Sequence, residues 1–181
     1  MKKFKFLIFL IVFCVIVIAV QAYIISRREN QALSRYCDTV TKYSFKYNVD
    51  ANLVYAVIKA ESNFNEDALS SKGAIGLMQI LPSTGLYISQ MLNEDFNVNN
   101  LYSFTDNIKY GTYYLNYLFG KFNDLDLVIA AYNAGEGNVY NWLELYSDDG
   151  IHLNNIPFKE TKNYLEKVKN YYSKYKNMYN Y

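Results

Sequence analysis

The chain has 181 residues, enough for one domain of ordinary size with a core that stands alone. Its 18 basic and 17 acidic side chains leave a net charge of +1, and no basic tract suggests a nucleic-acid partner. One histidine (His152) and two cysteines are too few for the common zinc sites, so no metal or cofactor is expected.

From Phe6 to Ser26 no side chain is charged and nearly all are apolar. A bilayer-crossing helix needs about 20 such residues. Lys2, Lys3 and Lys5 precede the run and would hold the N-terminus in the cytoplasm. Arg27, Arg28 and Arg35 follow it, so the flanking charges balance and do not by themselves set the orientation. Val20-Gln21-Ala22 also offers a small-residue cleavage site, but the run exceeds the roughly 7–15 apolar residues of a secretory signal. The expectation is a single-pass protein of the cell membrane. Residues 1–26 form a cytoplasmic tail and anchor (or uncleaved signal), 27–40 a polar juxtamembrane stalk, and 41–181 an extracytoplasmic domain. Without the three leading lysines the remainder carries 15 basic and 17 acidic residues. Cys14 lies within the apolar run and Cys37 just after it, so no internal disulfide is expected and Cys37 is a lone thiol.

After the stalk, which could already be helical, the chain reads as a series of helices. Strand-like alternation is hard to find, and only Pro82 and Pro157 interrupt the pattern. The first clear helix runs from about Asn52 to Ser62 with Asp50 as its N-cap. Another follows Pro82-Ser83-Thr84. A third spans roughly Asp106 to Phe122, with Ile108, Gly111, Leu115, Leu118 and Phe122 on one face. A fourth covers Asp126 to Asn133 and stops at Gly135 and Gly137. A fifth starts near Val139, and the last runs from Lys159 into a tail whose Tyr171, Tyr172, Tyr175 and Tyr179 are expected to pack on the core. The fold class is mainly α.

On the first of these helices Val54, Val57, Ile58 and Glu61 share one stripe. A carboxyl at the end of an apolar stripe is anomalous, because an unpaired buried charge is costly. Desolvation would raise its pKa and keep a proton available near neutral pH, which a general acid on a glycosidic oxygen needs. The plain alternative is a frayed helix end with Glu61 solvated or paired with a lysine. If the carboxyl is buried, Glu61→Gln should be neutral or mildly stabilising. The stretch SKGAIGLMQILPST follows, and its Gly73 and Gly76 would let the chain fold back and bring Gln79 beside Glu61. A glutamine amide there could hold both a sugar hydroxyl and the carboxyl. In AAYNAGEGN, Tyr132 could set its hydroxyl near a reacting group while its ring packs. Taken alone, that segment is a helix C-cap, and IPFKETKNYLEKV is an ordinary helix start.

Together, Glu61-Ser62, GLMQILPST at 76–84, AYNAGEGNV at 131–139 and IPFKETKNYLEKV at 156–168 resemble the lytic transglycosylases of the soluble-lytic (SLT) type, in the family's order and spacing. The resemblance covers roughly residues 40–175. It implies a lysozyme-like domain that cuts the β-1,4 bond between N-acetylmuramic acid and N-acetylglucosamine in peptidoglycan without consuming water. One glutamate serves as acid and then as base while the muramoyl 6-hydroxyl closes a 1,6-anhydro ring. Glu61 matches that catalytic residue, and Ser70 matches a serine near the muramoyl N-acetyl group. Gln79 and Leu81 match cleft-lining positions, the second usually a methionine. Tyr132 matches a tyrosine close to the carboxyl, Asn133 beside it belongs with the substrate-binding residues, and Glu160 matches a second acidic residue on the cleft floor. Glu136 departs from the pattern where proline is common, Gly85 where alanine is common, and Lys162 where arginine is common.

Three readings stay open: a non-hydrolytic transglycosylase, a hydrolytic muramidase of the same fold, and a non-catalytic glycan-binding scaffold. Hydrolysis would need a second carboxylate within about 5–10 Å of the acid, for which the candidates are Glu66, Asp67 and Glu160. The expected partners are peptidoglycan strands and the membrane, and an unidentified wall or secretion machine is compatible.

Overall fold

The computed structural model describes residues 2–153 and 155–178, so Tyr179 lies outside the described residues. The chain divides into two compact units, Met1–Cys37 and Asp38–Tyr181. Helix α1 (Lys2–Tyr47) makes up the described part of the first unit and continues into the second. It runs unbroken through residues 27–40, so the polar segment is itself helix.

Within α1 the large apolar side chains from Phe4 to Ile25 are all exposed. Water tolerates no such surface, whereas lipid does, and a helix satisfies all of its own interior backbone groups there. This is one helix long and apolar enough to cross a membrane.

The second unit is a helical bundle built around α2 (Ala51–Ser62). Asp50 caps α2 by accepting from the Asn52 N–H at 2.8 Å, as the sequence suggests. Leu53, Val54, Tyr55, Ala56, Val57, Ile58 and Ala60 are all buried, so apolar surface runs right round the helix and neighbours cover it on every side. Its most extensive packing is against α7 (Lys159–Met178). Around this pair lie α3 (Pro82–Met91), α4 (Phe104–Phe122), α5 (Leu125–Ala134) and α6 (Glu136–Tyr146), with α5 packed on α4, α6 and α7. Tyr175 is fully buried, its ring 6.1 Å from that of Tyr55, while Tyr171 and Tyr172 are half-buried. Among the described residues there is no regular strand, only isolated bridges pairing Ile75 with Leu69 and with Ile80.

Boundaries shift from the sequence expectations where caps decide them. Ser103 accepts from the Asp106 N–H, so α4 begins at Phe104. Asp124 accepts from the Leu127 N–H at 2.9 Å and starts α5 at Leu125. Gly135 alone, at φ +86°, separates α5 from α6. Gly137 sits inside the first turn of α6, and Glu136 leads that turn, where the helix dipole favours a carboxylate. A 3-10 turn over Val98–Tyr102, started by an Asn97 cap, has no counterpart in the sequence reading.

Candidate active site

Glu61 lies at the C-terminal end of α2, one turn past Val57 and Ile58, both fully buried. It lines an open pocket of about 260 Å³ with Ser70, Gln79, Leu81, Tyr132, Asn133 and Glu160, all seven being residues singled out from the sequence. Ser71, Lys72 and Ala74 complete the lining. A larger hollow of about 680 Å³ sits at the other end of α2, but its Asp50 caps the helix and accepts from Tyr172 at 2.7 Å. That carboxylate is engaged structurally, whereas the smaller pocket is the one that gathers the candidate residues.

The segment between α2 and α3 forms one wall, and two helices hold it in place. Asn107 of α4, fully buried, accepts from the Met78 N–H at 2.7 Å and donates to the carbonyls of Ile75 and Leu101, each at 2.8 Å. Tyr132 of α5 donates to the Met78 carbonyl at 2.9 Å. The peptide groups of Met78 are thus satisfied from two directions, as buried backbone requires. Gly76, at φ +78°, is needed because a Cβ there would lie 2.4 Å from the Asn107 amide. Gly111 likewise makes room for the Met78 side chain.

Gln79 sits beyond this clamp with φ +49°, unusual for a residue with a side chain. Its Nε2 donates to the carbonyls of Ala68 (3.1 Å) and Gly76 (2.9 Å). Both amide hydrogens are therefore engaged by the loop, and only Oε1 remains for a ligand. The dual role expected for the amide narrows to that of an acceptor. Ser70 is also partly engaged, its Oγ accepting from the Ala74 N–H at 2.9 Å. Asn133 accepts at Oδ1 from Thr161 Oγ1 at 2.8 Å, so its NH2 group is the part with donors left over. Ser62 donates to the Ile58 carbonyl and does not line the pocket.

Burial sets the chemistry of Glu61. Desolvation is the largest influence and raises its carboxyl from 4.5 to about 7, with the nearby Glu160 pushing in the same direction. Tyr164 and Lys167 oppose the rise. The Tyr164 hydroxyl is buried and close enough for each group to shift the other, yet it stands short of a well-formed hydrogen bond in this arrangement. Lys167 donates to the Ala60 carbonyl at 2.6 Å, which places a cation at the C-terminal end of α2. Burial also pushes the Tyr132 hydroxyl well above the usual phenol range, so it stays neutral. The pocket therefore holds one carboxyl that can give and take a proton near neutrality, and a second carboxyl, Glu160, that is exposed. Glu66 and Asp67 do not line it.

Tyr164 and Lys167 were missed in the sequence. They lie at i+4 and i+7 from Glu160 on α7, so the stripe rule that found Glu61 on α2 reaches them too.

A helical domain that poises one half-buried carboxyl over an open pocket is lysozyme-like in design. The chain belongs to the transglycosylase SLT domain family, whose model matches residues 38–155. It is 34% identical over 139 residues to a soluble lytic murein transglycosylase of Salmonella typhimurium, covering 74% of this chain and 22% of that protein. It is 31% identical to a membrane-bound lytic murein transglycosylase C of Serratia proteamaculans, covering 84% of this chain and 50% of the relative. The 70 kDa soluble lytic transglycosylase of Escherichia coli superposes with a TM-score of 0.71 at 30% identity, over 79% of this chain and 24% of that structure. The chain thus spans about a quarter of the length of the soluble relatives and about half that of the membrane-bound one.

Proposed function

We propose that the protein is a membrane-anchored peptidoglycan lytic transglycosylase that cleaves the MurNAc-β-1,4-GlcNAc bond without water, Glu61 acting as acid and then as base. The observation that carries this reading is the Glu61 carboxyl, held near pKa 7 in a pocket it shares with Ser70, Gln79, Tyr132, Asn133 and Glu160. In the first step Glu61 gives its proton to the glycosidic oxygen, the bond to the muramoyl C1 breaks, and the N-acetylglucosamine side leaves with a hydroxyl. Glu61, now a carboxylate, takes the proton of the muramoyl 6-hydroxyl as that oxygen bonds to C1. The 1,6-anhydro ring closes, and Glu61 ends protonated, ready for the next turnover. A pKa near the working pH suits both halves of this cycle. Asn133 is suited to donate to a substrate carbonyl, Gln79 to accept from a hydroxyl, and Ser70 and Leu81 to bound the sugar.

Glu160 favours a second reading, hydrolysis, because a second carboxylate in the same pocket could activate water. The masses of products from purified peptidoglycan separate the two. Anhydromuramoyl ends support transglycosylation, whereas products one water heavier establish a muramidase. Glycan binding with no fragments released would leave a scaffold.

Residues 1–26 serve as the anchor, 27–40 as the stalk and 41–181 as the extracytoplasmic domain of a single-pass protein. The two exposed cysteines report on this arrangement. In intact spheroplasts a membrane-impermeant maleimide should label Cys37 and spare Cys14. Protection of Cys37 until the membrane is opened would reverse the topology.

A further inference from the structure

The hollow at the N-terminal end of α2 takes no part in the proposed chemistry. It is an open space of about 680 Å³, set where α1 gives way to α2 and α4 to α5. Two helices end there and two begin, so their dipoles largely offset one another. The charged side chains lining it are Asp50 and Lys121. Asp50 accepts from the Asn52 N–H and the Tyr172 hydroxyl, which fills about half of the roughly four acceptor sites of a carboxylate. Among the described residues it has no cation for a partner. Lys121 lies 5.1 Å from the centre of the Tyr117 ring, and no described carboxylate pairs with it.

The neutral polar lining is equally unspent. The side-chain amides of Asn48, Asn116 and Asn123 make no hydrogen bond to any described residue. Each offers N–H donors and a carbonyl acceptor, which complement the carbonyl and N–H of a peptide group. Three idle amides, a cation and an anion around one hollow match a short peptide that carries both a free carboxylate and a free amine. Stem peptides of peptidoglycan have this character. At twelve residues α2 is about 18 Å long. A five-residue stem reaches at most about 17 Å. One rooted on a sugar at Glu61 would be stretched to its limit on arriving at the hollow, whereas the stem of an adjacent strand meets no such limit.

We propose that the hollow lined by Asn48, Asn116, Lys121 and Asn123 binds a peptidoglycan stem peptide from a strand adjacent to the one held at Glu61. Lys121 takes a stem carboxylate, Asp50 takes the amine, and the amides pair with the peptide groups between them. This rests on the reading of the Glu61 pocket as a glycan-cleaving site. The enzyme thereby grips one strand while it cuts another.

Titration calorimetry of the detergent-solubilised full chain tests it, with the sugar-free peptide alanyl-γ-D-glutamyl-lysyl-D-alanyl-D-alanine as probe. Lys121→Ala and Asn116→Ala should each weaken binding about tenfold with little change in melting temperature. Lys121 is exposed, so its variant reports on binding even if Asn116→Ala folds poorly. Acetylation of the peptide's lysine should weaken binding similarly, by denying Asp50 its partner. Asn133→Ala, in the Glu61 pocket, should bind the peptide as the wild type does. No binding by the wild type, or binding untouched by both hollow variants, would overturn the site. Loss of binding in Asn133→Ala would overturn it too, by seating the peptide beside Glu61. Equal binding of an all-L, α-linked peptide of the same composition would overturn the stem assignment in favour of a protein segment. Lys121→Ala should digest intact sacculi several-fold more slowly while cutting single soluble strands at the wild-type rate. Equal slowing on both would overturn the adjacent-strand assignment. Digestion by the wild type keeps the two readings apart. A protein that binds the peptide yet releases no fragments refutes cleavage and retains the site, and one that cleaves without binding it does the reverse.

Discussion

The Tyr132 hydroxyl donates to the Met78 carbonyl at 2.9 Å, tying α5 to the loop that presents Gln79. Tyr132→Phe leaves that carbonyl without its partner and should cost about 1–2 kcal/mol. Thermal melts should show a modest loss of stability. Activity on peptidoglycan should fall further than stability does, because the loop that positions Gln79 is loosened. A variant with unchanged melting temperature and activity would mean that the loop holds its shape without α5.

Asn107 is the stronger clamp. Asn107→Ala strands the Met78 N–H and the carbonyls of Ile75 and Leu101, and should cost on the order of 3–5 kcal/mol. Gly76→Ala acts on the same spot, since its Cβ would fall 2.4 Å from the Asn107 amide at a backbone angle that disfavours any side chain. Urea unfolding should rank both well below the wild type. Because the two substitutions strike one contact, the double variant should lose less than the sum of the single ones.

Glu61 links stability to pH. Its carboxyl titrates at 4.5 when unconstrained and at about 7 in the fold, so between these values the folded chain keeps a proton that the unfolded chain has released. Stability therefore falls as pH rises through that window, and the loss is complete above it. Glu61→Gln cannot ionise. It should match the wild type at acid pH and exceed it by about 1–3 kcal/mol above neutrality, a range reduced because the carboxyl is partly solvated. Paired melts on either side of the window measure the gain. Peptidoglycan cleavage by the same variant should be abolished.

Tyr164 and Lys167 both hold the Glu61 pKa down, so removing either should raise it. In Tyr164→Phe the alkaline limb of the cleavage profile should move to higher pH. Stability should change little, because the hydroxyl lost is buried without a full hydrogen bond. Lys167→Met should move the limb the same way. A limb that stays in place would assign it to a group other than Glu61.

Much of this architecture was legible in the sequence because it depends on neighbours within one or two turns. The stripe Val54, Val57 and Ile58 is buried as its spacing requires, and Asp50 caps the helix it precedes. The start of α6 was misplaced because glycines near Val139 suggest a break, whereas only Gly135 adopts positive φ. The 3-10 turn at Val98–Tyr102 has too short a pattern to show any period.

By itself, the sequence determined the helical order, the apolar N-terminal run and the placing of Glu61 at the end of an apolar stripe, all of which are periodicities along one chain. Tertiary structure alone decided that the Gln79 amide spends both hydrogens on its own loop, that Asn107 and Tyr132 both hold Met78, and that Tyr164 and Glu160 reach Glu61. Those outcomes join residues far apart in the chain, and local spacing carries no information about which side chain of one helix lands on the end of another. The proton affinity of Glu61 belongs with them, since desolvation is a property of everything packed around the carboxyl.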